Sequence, residues 1–382
     1  MKIIGIICEY NPFHLGHAAQ LRRLRETFGP DSGIVCLMSG DFVQRGHPAV
    51  FGKLPRAEAA LRCGADLVLE LPVTAALSSA EGFAAGGVSI LGTFCDHLCF
   101  GAETADGPAL LETARVLLTE DFNALLREEL RAGVSFPAAR QRAAERAGLN
   151  GALLASPNNI LAVEYCKAML AQGCAMTPLP ILRGGSYHAS LPDPENPSAT
   201  ALRRLIEDGQ DWLGYVPPAA ARVLEDAPRH TLSAGERVIL ARLRTMTDAE
   251  FEALPYGSEG LWCKLMHAAR EKADLEEILQ AVKSRRYTRT RLDRMVLCAC
   301  LGLTKEALAA PVPYTRVLGF NKTGREILKI AREHGSFPNI GQRMEHPWQQ
   351  LETRCGTLYG LFAVSAPEPA DAEEKKRVVS LP

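Results

Sequence analysis

The first twenty residues restrict the possible fold more than any other stretch of the chain. The apolar run from Ile3 to Cys8 has the length and composition of a strand that is buried on both faces of a parallel sheet. Asn11-Pro12 follows as a turn signal, and an amphipathic stretch with Leu21 and Leu24 then begins at His14. The chain is therefore predicted to start as strand, loop and helix.

Two histidines, His14 and His17, lie where this helix is predicted to begin, with Gly16 between them. A helix N-terminus favours anions, imidazole N–H groups can donate to phosphoryl oxygens, and a glycine lets a nucleotide approach the backbone. A capping or packing role is the usual alternative for a lone histidine. The His-x-Gly-His pattern directly after an N-terminal strand favours nucleotidyl transfer, and it resembles the HIGH motif of nucleotidylyltransferases and class I aminoacyl-tRNA synthetases.

Four further apolar runs predict strands that alternate with helices, at Ile34 to Met38, Asp66 to Leu71, Cys95 to Phe100 and Pro178 to Arg183. This alternation is typical of an α/β fold with a doubly wound parallel sheet. We therefore predict a Rossmann-like domain of the HIGH nucleotidylyltransferase type over residues 1–216. Ligands of such domains bind at the carboxyl ends of the strands.

Polar residues and glycines follow the predicted strands and are candidates for this ligand site. Ser39, Asp41, Gln44 and Arg45 follow the second strand and could hold a small polar substrate, although an ordinary surface turn is an equal alternative. Gly101 follows the fourth strand and leaves space for an adenine or ribose. Asn158 and Asn159 could bind the edges of a nucleoside, with helix capping as the alternative.

A second phosphate-binding signal occurs at Ser198, Thr200 and Arg203, near a predicted helix start. Two hydroxyl groups and a guanidinium group there could bind the β- and γ-phosphates of a nucleotide. The motif resembles the Ser-x-Thr-x-Ile-Arg element of nucleotidylyltransferases, with Leu202 in place of Ile. An N-capped surface helix is the alternative for this motif taken by itself.

Composition excludes several other classes of protein. The chain has 382 residues, a hydrophobic fraction of 47% and a formal net charge of −1, so any nucleic-acid surface must be local. Its 11 cysteines lack the paired spacing of a zinc site, and they indicate reduced thiols in the cytoplasm. The sequence predicts no membrane span, no protein-bound metal and no stable protein partner.

The region after Pro217-Pro218 is predicted to be helical, and we assign residues 217–365 to a smaller all-helical domain and residues 366–382 to a flexible tail. A basic segment in the helical region is a candidate for tRNA binding through phosphate contacts, with a solvated helix face as the alternative. Its candidate residues are Lys283, Arg285, Arg286, Arg289, Arg291 and Arg294.

Five stretches together resemble the bacterial tRNA(Met) cytidine acetate ligase family, namely Glu9 to His17, Met38 to Gly46, Gly64 to Pro72, Ser156 to Leu161 and Arg286 to Leu292. The resemblance implies that ATP and acetate give acetyl-adenylate and pyrophosphate. The acetyl group then passes to N4 of the wobble cytidine of elongator tRNA(Met), which gives N4-acetylcytidine.

The resemblance also implies a set of ATP-binding positions, formed by the first strand and loop together with four later segments. These positions are Ile7, Cys8, Glu9, Tyr10, Asn11, Pro12, Phe13, His14, Leu15, Gly16, His17, Ala18, Ala19, Gln20, Gly101, Asn158, Asn159, Arg183 and Gly184.

The implied mechanism is electrostatic, with His14 and His17 at the α-phosphate and Ser198, Thr200 and Arg203 at the pyrophosphate. Mg²⁺ is expected to accompany ATP. Two alternatives are an adenylyl- or cytidylyltransferase that acts on a small phosphate ester, and an RNA-binding protein with a degenerate nucleotide site.

Overall fold

The structure of the protein is a computed structural model, and it describes residues 1–183, 193, 197–284 and 286–382. Two residues of the predicted sites, Gly184 and Arg285, lie outside the described residues.

The described chain forms one large sheet and a small hairpin. The large sheet has seven strands in the order β7-β6-β1-β2-β5-β8-β9, and the hairpin pairs β3 with β4. The strands are β1 (Ile3–Cys8), β2 (Gly33–Ser39), β3 (Phe42–Val43), β4 (His47–Pro48), β5 (Leu67–Leu71), β6 (His97–Ala102), β7 (Thr177–Leu182), β8 (Arg316–Phe320) and β9 (Val379–Ser380).

All five strands predicted from the apolar runs are confirmed, and neighbouring members of this set pair in parallel. The strand order reverses between β1 and β6, because β2 and β5 lie on one side of β1 whereas β6 and β7 lie on the other. A crevice opens at such a reversal, outside the carboxyl ends of the strands. The Rossmann-like α/β prediction is therefore confirmed.

Helices cover the sheet, and no helix in the described ranges is long and apolar enough to cross a membrane. They are α1 (Leu15–Phe28), α2 (Lys53–Arg62), α3 (Val73–Ala76), α4 (Ala80–Leu91), α5 (Gly107–Leu117), α6 (Glu120–Arg131), α7 (Phe136–Arg146), α8 (Pro157–Ala171), α9 (Ala199–Glu207), α10 (Pro218–Leu224), α11 (Glu236–Thr245), α12 (Asp248–Glu252), α13 (Leu261–Glu271), α14 (Leu275–Val282), α15 (Arg289–Leu301), α16 (Lys305–Ala309), α17 (Lys322–Arg332), α18 (Pro347–Tyr359) and α19 (Ala372–Lys375).

Apolar side chains form separate cores on the two faces of the sheet. Leu21 and Leu24 of α1 pack with α2, α9 and α10 on one face. Phe83 of α4 and Tyr165 of α8 belong to the core on the opposite face. A third core joins α11, α13, α14 and α15 to Phe42 of the hairpin. The described chain thus has three apolar cores, two on the faces of the sheet and one among the C-terminal helices.

The C-terminal half differs from the predicted all-helical domain. Strand β8 pairs antiparallel with β5, and β9 pairs with β8, so residues from both the region 217–365 and the region 366–382 belong to the main sheet. A separate all-helical domain is not confirmed, and its boundaries stay a prediction. Residues 366–382, predicted as a flexible tail, contribute α19, β9 and the buried Glu373.

A buried network of charged side chains ties this C-terminal region to the sheet. The ammonium group of Lys53 lies 3.0 Å from carboxylate oxygens of Asp41 and Glu70 and 2.5 Å from Glu373. Arg316 of β8 contacts Glu70 at 2.7 Å and Glu373 at 3.0 Å. Burial and Arg316 would lower the pKa of Lys53, but the carboxylates outweigh them and raise it. Lys53 is therefore a structural cation.

We expect Lys53→Met to reduce the free energy of unfolding by about 3–5 kcal/mol, because it leaves buried carboxylates without their shared cation. Urea unfolding at pH 7 measures the change. Lys329→Met is the matched control, since Lys329 is exposed on α17 and pairs only with Glu326, three residues before it, among the described ion pairs. Equal losses in the two variants would show that the network adds no stability.

Candidate active site

A cavity of about 430 Å³ lies at the carboxyl ends of β1 and β6, where the strand order reverses. Its wall is built from the loop after β1, the start of α1, the β3–β4 hairpin, the ends of β6 and β7, and helices α4, α8 and α9. The cavity therefore occupies the position at which doubly wound sheets bind ligands.

The two histidines of the His-x-Gly-His motif stack on each other at the start of α1. Their ring centroids lie 3.7 Å apart, and the rings are inclined by 25°. Tyr10 packs against His17 at 4.8 Å, and Phe13 packs against it at 5.6 Å. These aromatic contacts fix the orientation of the imidazole pair at the helix N-terminus.

A reciprocal helix cap determines which nitrogen of each imidazole carries the proton. The backbone N–H of Gly16 donates to Nδ1 of His14 at 3.1 Å, and the backbone N–H of His14 donates to Nδ1 of His17 at 3.3 Å. A neutral imidazole that accepts at Nδ1 carries its proton at Nε2. Both rings therefore keep an Nε2–H donor for a ligand, and Nε2 of His14 is buried without a described partner.

Both histidines are neutral at physiological pH. Burial, followed by the charges of Arg183 and Arg203, lowers the pKa of His14 to about 3. Burial, His14 and Arg183 lower the pKa of His17 well below its ordinary value. The pair consequently donates hydrogen bonds to an anion without the cost of desolvating two imidazolium ions.

The predicted Ser-Thr-Arg element also lies on the cavity. The hydroxyl group of Ser198 accepts a hydrogen bond from the N–H of Ala201 at 3.1 Å and so caps α9. Arg203 donates to the carbonyl of Asn11 at 2.7 Å and to the hydroxyl of Thr200 at 3.1 Å. Ser198 therefore does cap the helix, as the alternative interpretation predicted. Ser198, Thr200 and Arg203 nevertheless also line the cavity. The guanidinium links α9 directly to the loop after β1.

The two adjacent asparagines have different positions. Asn158 lines the cavity, and its side-chain oxygen accepts a hydrogen bond from Arg183 at 3.3 Å. Asn159 is turned away and instead bonds the backbone N–H and the hydroxyl of Thr104, at 2.9 and 3.2 Å. Asn159 thus orders the loop after β6, and only Asn158 is placed to contact a ligand.

Glu103 occupies the N-terminus of α8. Its carboxylate accepts from the hydroxyl of Ser156 at 2.9 Å and from the backbone N–H of Asn159 at 2.7 Å. Burial would raise the pKa of Glu103, but the hydrogen bonds from Ser156 and Asn158 outweigh it and lower the pKa. This helix end is already filled by an anion, so phosphate must bind elsewhere.

The four polar residues predicted to hold substrate after β2 have different positions, because two line the cavity and two are buried. Gln44 and Arg45 line the cavity, and the backbone N–H of Gln44 donates to Glu9 at 2.9 Å. Ser39 and Asp41, predicted to hold substrate, do not line it. Both residues are buried. The carboxylate of Asp41 forms an ion pair with Lys53, and the backbone carbonyl of Ser39 accepts a hydrogen bond from Arg56 at 3.1 Å.

Most of the predicted ATP-binding positions line the cavity, and their role in ATP binding stays a prediction. Those that line it are Ile7, Cys8, Glu9, Tyr10, Asn11, His14, Gly16, His17, Ala19, Gln20, Gly101, Asn158 and Arg183. Among the described residues, Pro12, Phe13, Leu15, Ala18 and Asn159 do not.

Sequence reasoning missed several lining residues. Arg23 lies on α1, and its spacing from Gly16 and Gln20 along one helix face could have revealed it. The other missed residues are apolar or aromatic and read as ordinary core positions. They are Ile6, Phe83, Phe100, Leu161, Tyr165, Ile181, Leu182 and Ala199.

The basic segment lies beside the hairpin rather than in the cavity. Lys283 and Arg286 are exposed, and Arg286 pairs with Glu259 at 2.6 Å. Arg294 donates to the carbonyl of Gln44 at 3.2 Å, so the second turn of α15 contacts a residue that lines the cavity. Arg289 and Arg291 are half-buried in contacts with Glu276, Asp293 and the carbonyl of Tyr256.

Gly46 permits the close approach of the hairpin and α15. Its φ of +80° lies in the left-handed region, and a Cβ atom there would lie 2.4 Å from the backbone nitrogen of Arg294. The hairpin is therefore held between α15 and the cavity by a backbone contact that only glycine allows.

The lowered pKa of His14 should be visible in the acid stability of the protein. Below pH 6.5 the unfolded chain binds a proton that the folded protein takes up only near pH 3. The free energy of unfolding should fall with decreasing pH in this window, and His14→Asn should remove about 2 kcal/mol of the loss between pH 6.5 and 5. Urea unfolding across this pH range tests it, with His267→Asn on the exposed face of α13 as control. An unchanged pH dependence in His14→Asn would contradict the assignment.

Comparison with known proteins agrees with the motifs. A sequence model described as HIGH Nucleotidyl Transferase matches residues 1–375. The chain is 35% identical to the tRNA(Met) cytidine acetate ligase of Acetivibrio thermocellus, over 89% of this chain and 88% of that protein. It is 34% identical to that of Clostridium acetobutylicum, over 99% and 100% of the two chains.

Solved structures show the same relationship. Thermotoga maritima TmcAL in its apo form superimposes with a TM-score of 0.90 at 30% identity, over 100% of both chains. The same protein bound with alpha-thio ATP gives a TM-score of 0.88 at 31% identity, again over 100% of both chains. The chain belongs to the HIGH nucleotidyl transferase family and, within it, to the tRNA(Met) cytidine acetate ligase family.

Proposed function

We propose that the protein is an ATP-dependent ligase that activates acetate as acetyl-adenylate and acetylates N4 of the wobble cytidine of elongator tRNA(Met). The observation that carries this proposal is the neutral, stacked pair of His14 and His17, with both Nε2–H groups available at a helix N-terminus on the cavity. The ligase names of relatives at about 35% identity supply the substrates.

Three parts of the cavity would hold ATP. The α-phosphate lies at the N-terminus of α1, where His14 and His17 donate hydrogen bonds. The β- and γ-phosphates lie at the N-terminus of α9, where Ser198, Thr200 and Arg203 meet the loop after β1. The nucleoside lies along Gly101, Asn158 and Arg183, which supply amide and guanidinium groups for the sugar and base.

The first chemical step is an in-line displacement at the α-phosphorus. A carboxylate oxygen of acetate forms the new O–P bond, and the bond to the bridging oxygen breaks so that pyrophosphate leaves with the electron pair. The two imidazole N–H groups stabilise the charge that develops on the phosphoryl oxygens, and no proton is transferred. Mg²⁺ would accompany ATP and neutralise part of the phosphate charge, since the described residues contain no cluster of three or more histidine, cysteine, aspartate or glutamate side chains that could hold the ion.

The second step transfers the acetyl group to RNA. The N4 amine of the cytidine attacks the acyl carbon, the bond from that carbon to the phosphate oxygen breaks, and AMP leaves with the electron pair while the amine loses a proton to solvent. A wobble base is unpaired in the anticodon loop, so it can be splayed into the cavity. Because ATP and tRNA occur together in the cytoplasm, we expect the reaction there.

The basic segment on α15 and the loop before it would bind the tRNA backbone. Its exposed members, Lys283 and Arg286, are available for phosphate contacts, and the ion pair between Arg286 and Glu259 is on the surface and easily exchanged. Arg294 contacts the same Gln44 that lines the cavity, which brings this surface close to the reacting centre. This adjacency supports a single docking of tRNA over the hairpin.

Acetate-dependent exchange of labelled pyrophosphate into ATP tests the first step. We expect exchange in the wild type and a decrease of about 10²–10³-fold in His17→Ala, because one preorganised donor to the phosphoryl oxygens is lost. His267→Ala, on the exposed face of α13, is the control and should exchange like the wild type.

Mass analysis of tRNA from the same reaction tests the second step and separates the alternatives. An acetyl mass on a cytidine of elongator tRNA(Met) supports the proposal. Exchange driven by a small phosphate ester instead of acetate would indicate a nucleotidylyltransferase. Salt-dependent tRNA binding without any exchange would indicate an RNA-binding protein.

Replacing both Lys283 and Arg286 by Ala should weaken tRNA binding and reduce its salt dependence, because about two phosphate contacts are lost. Acetate-dependent exchange without tRNA should remain within about 2-fold of the wild type, since neither residue lines the cavity. Filter binding at several salt concentrations measures the slope. A matched pair of exposed charges on α17, Lys329 and Arg325, serves as control, and an equal loss in that variant would contradict a local tRNA surface.

A further inference from the structure

One wall of the cavity is aromatic and has no role in the mechanism above. Phe83 of α4, Phe100 of β6 and Tyr165 of α8 line the cavity, and because α8 packs on both α4 and β6, we call these three residues the aromatic wall. The rings of Phe100 and Tyr165 lie 5.4 Å apart and are inclined by 40°. The three side chains belong to the core on the face of the sheet opposite to α1, so they and the histidines line the same cavity from opposite faces of the sheet.

Tyr165 adds one polar group to this wall. The residue is 2% exposed, yet it lines the cavity, and its hydroxyl group has no hydrogen-bond partner in the described part of the chain. Burial, together with the nearby Cys8 and Glu9, raises the pKa of Tyr165 well above its ordinary value, so the hydroxyl keeps its proton. The hydroxyl group of a buried tyrosine usually has a protein partner, and because Tyr165 lines the cavity, its hydroxyl group can reach the space that a ligand would fill.

The chemistry of the aromatic wall fits a small aliphatic carboxylate better than a nucleobase. An adenine ring has ring nitrogens and an amino group on several edges, and most of them would be buried here without partners. A short carboxylate needs an apolar contact for its alkyl group and donors for its oxygens. The amide and guanidinium groups of Asn158 and Arg183 lie together at another part of the cavity, and they suit the nucleoside.

We infer that the aromatic wall is the acyl subsite, in which Phe83 and Phe100 contact the methyl group of acetate and the Tyr165 hydroxyl donates to one carboxylate oxygen. This inference rests on the proposed function and assigns the part of the cavity that binds its second substrate. The oxygen bonded to Tyr165 stays on the acyl group. The other oxygen forms the bond to the α-phosphorus as pyrophosphate leaves, and Tyr165 remains protonated throughout.

The same geometry sets the length of the acyl chain. Phe83 and Phe100 are 2% and 4% exposed, so they are packed in place and do not move aside at low cost. One additional methylene in a packed pocket typically changes selectivity by about 10–200-fold. The aromatic wall should therefore favour acetate over propionate, and a smaller side chain at position 83 should relax this preference.

Two variants test the subsite in the pyrophosphate exchange assay. Tyr165→Phe removes a single oxygen, and we expect the KM for acetate to rise by at least 10-fold, because a hydrogen bond to a charged group is lost, while the Kd for ATP stays within 2-fold. Phe83→Leu should raise the ratio of kcat/KM for propionate to that for acetate by at least 10-fold. The full chain is used, and thermal melting establishes that each variant is folded.

The controls are residues of the same type away from the cavity. Tyr314→Phe removes a buried hydroxyl without a described partner, and Phe337→Leu shortens another buried phenylalanine of the same core. Neither residue lines the cavity, and both variants should leave the KM for acetate and the acyl selectivity unchanged.

The possible outcomes separate this inference from the proposed function. Weaker ATP binding with an unchanged KM for acetate in Tyr165→Phe would assign the aromatic wall to adenine and overturn the inference alone. Unchanged constants in both variants would make the wall ordinary core, and the ligase function would stand. A wild type that exchanges pyrophosphate only with a phosphate ester would overturn both. If Phe83→Leu does not fold, the KM for acetate and the Kd for ATP of Tyr165→Phe are sufficient to test the acyl subsite.

Discussion

Two buried cations in the first turn of α2 hold the carboxyl edge of the sheet together. Arg56 donates to the carbonyls of Phe51 at 2.9 Å, Glu9 at 2.5 Å and Ser39 at 3.1 Å, and it also bonds the carbonyl of Gly40. Backbone carbonyls that leave a parallel sheet have no further strand partner, and burying them without a donor costs free energy. Arg56 supplies these donors, whereas Lys53 neutralises the carboxylates that surround the same loops. The loops after β1 and β2 are consequently fixed before any ligand binds.

The N-termini of three helices meet at the cavity, and each is capped by a different group. These caps determine where in the cavity an anion is favoured. The N-terminus of α8 is filled by Glu103, so it has no remaining attraction for phosphate. The N-terminus of α1 is capped by His14, which leaves an imidazole donor available. The N-terminus of α9 is capped by Ser198 and lies beside Arg203. An anion is therefore favoured at α1 and α9, and the aromatic wall between β6, α4 and α8 is left for an apolar group.

Sequence patterns predicted those parts of the fold whose signal lies in residues that are close together in the sequence. Strands β1, β2, β5 and β6 are apolar runs because both of their faces are buried, whereas the edge strand β7 is only half-buried. This apolar pattern is visible without knowledge of the partner strand. Strand β8 was missed because it contains Arg316 and Gly319 and is only five residues long. Arg316 is acceptable in this strand since Glu70 and Glu373 compensate its charge, and both are distant in sequence. Strand β9, with two residues, carries no periodic signal at all.

The sequence alone determined the strand–loop–helix start, the parallel sheet, and the histidines and Ser-Thr-Arg element of the site, because each signal lies within a few consecutive residues. Tertiary structure decided which of the remaining residues face the cavity. In the folded chain, Asp41 forms an ion pair and Asn159 forms an internal hydrogen bond, and neither lines the cavity. The fold also brings Phe83, Phe100 and Tyr165 to the same cavity. A buried aromatic side chain looks the same in sequence whether it packs against protein or against a ligand, since the hydrophobic pattern records burial and not the identity of the neighbour.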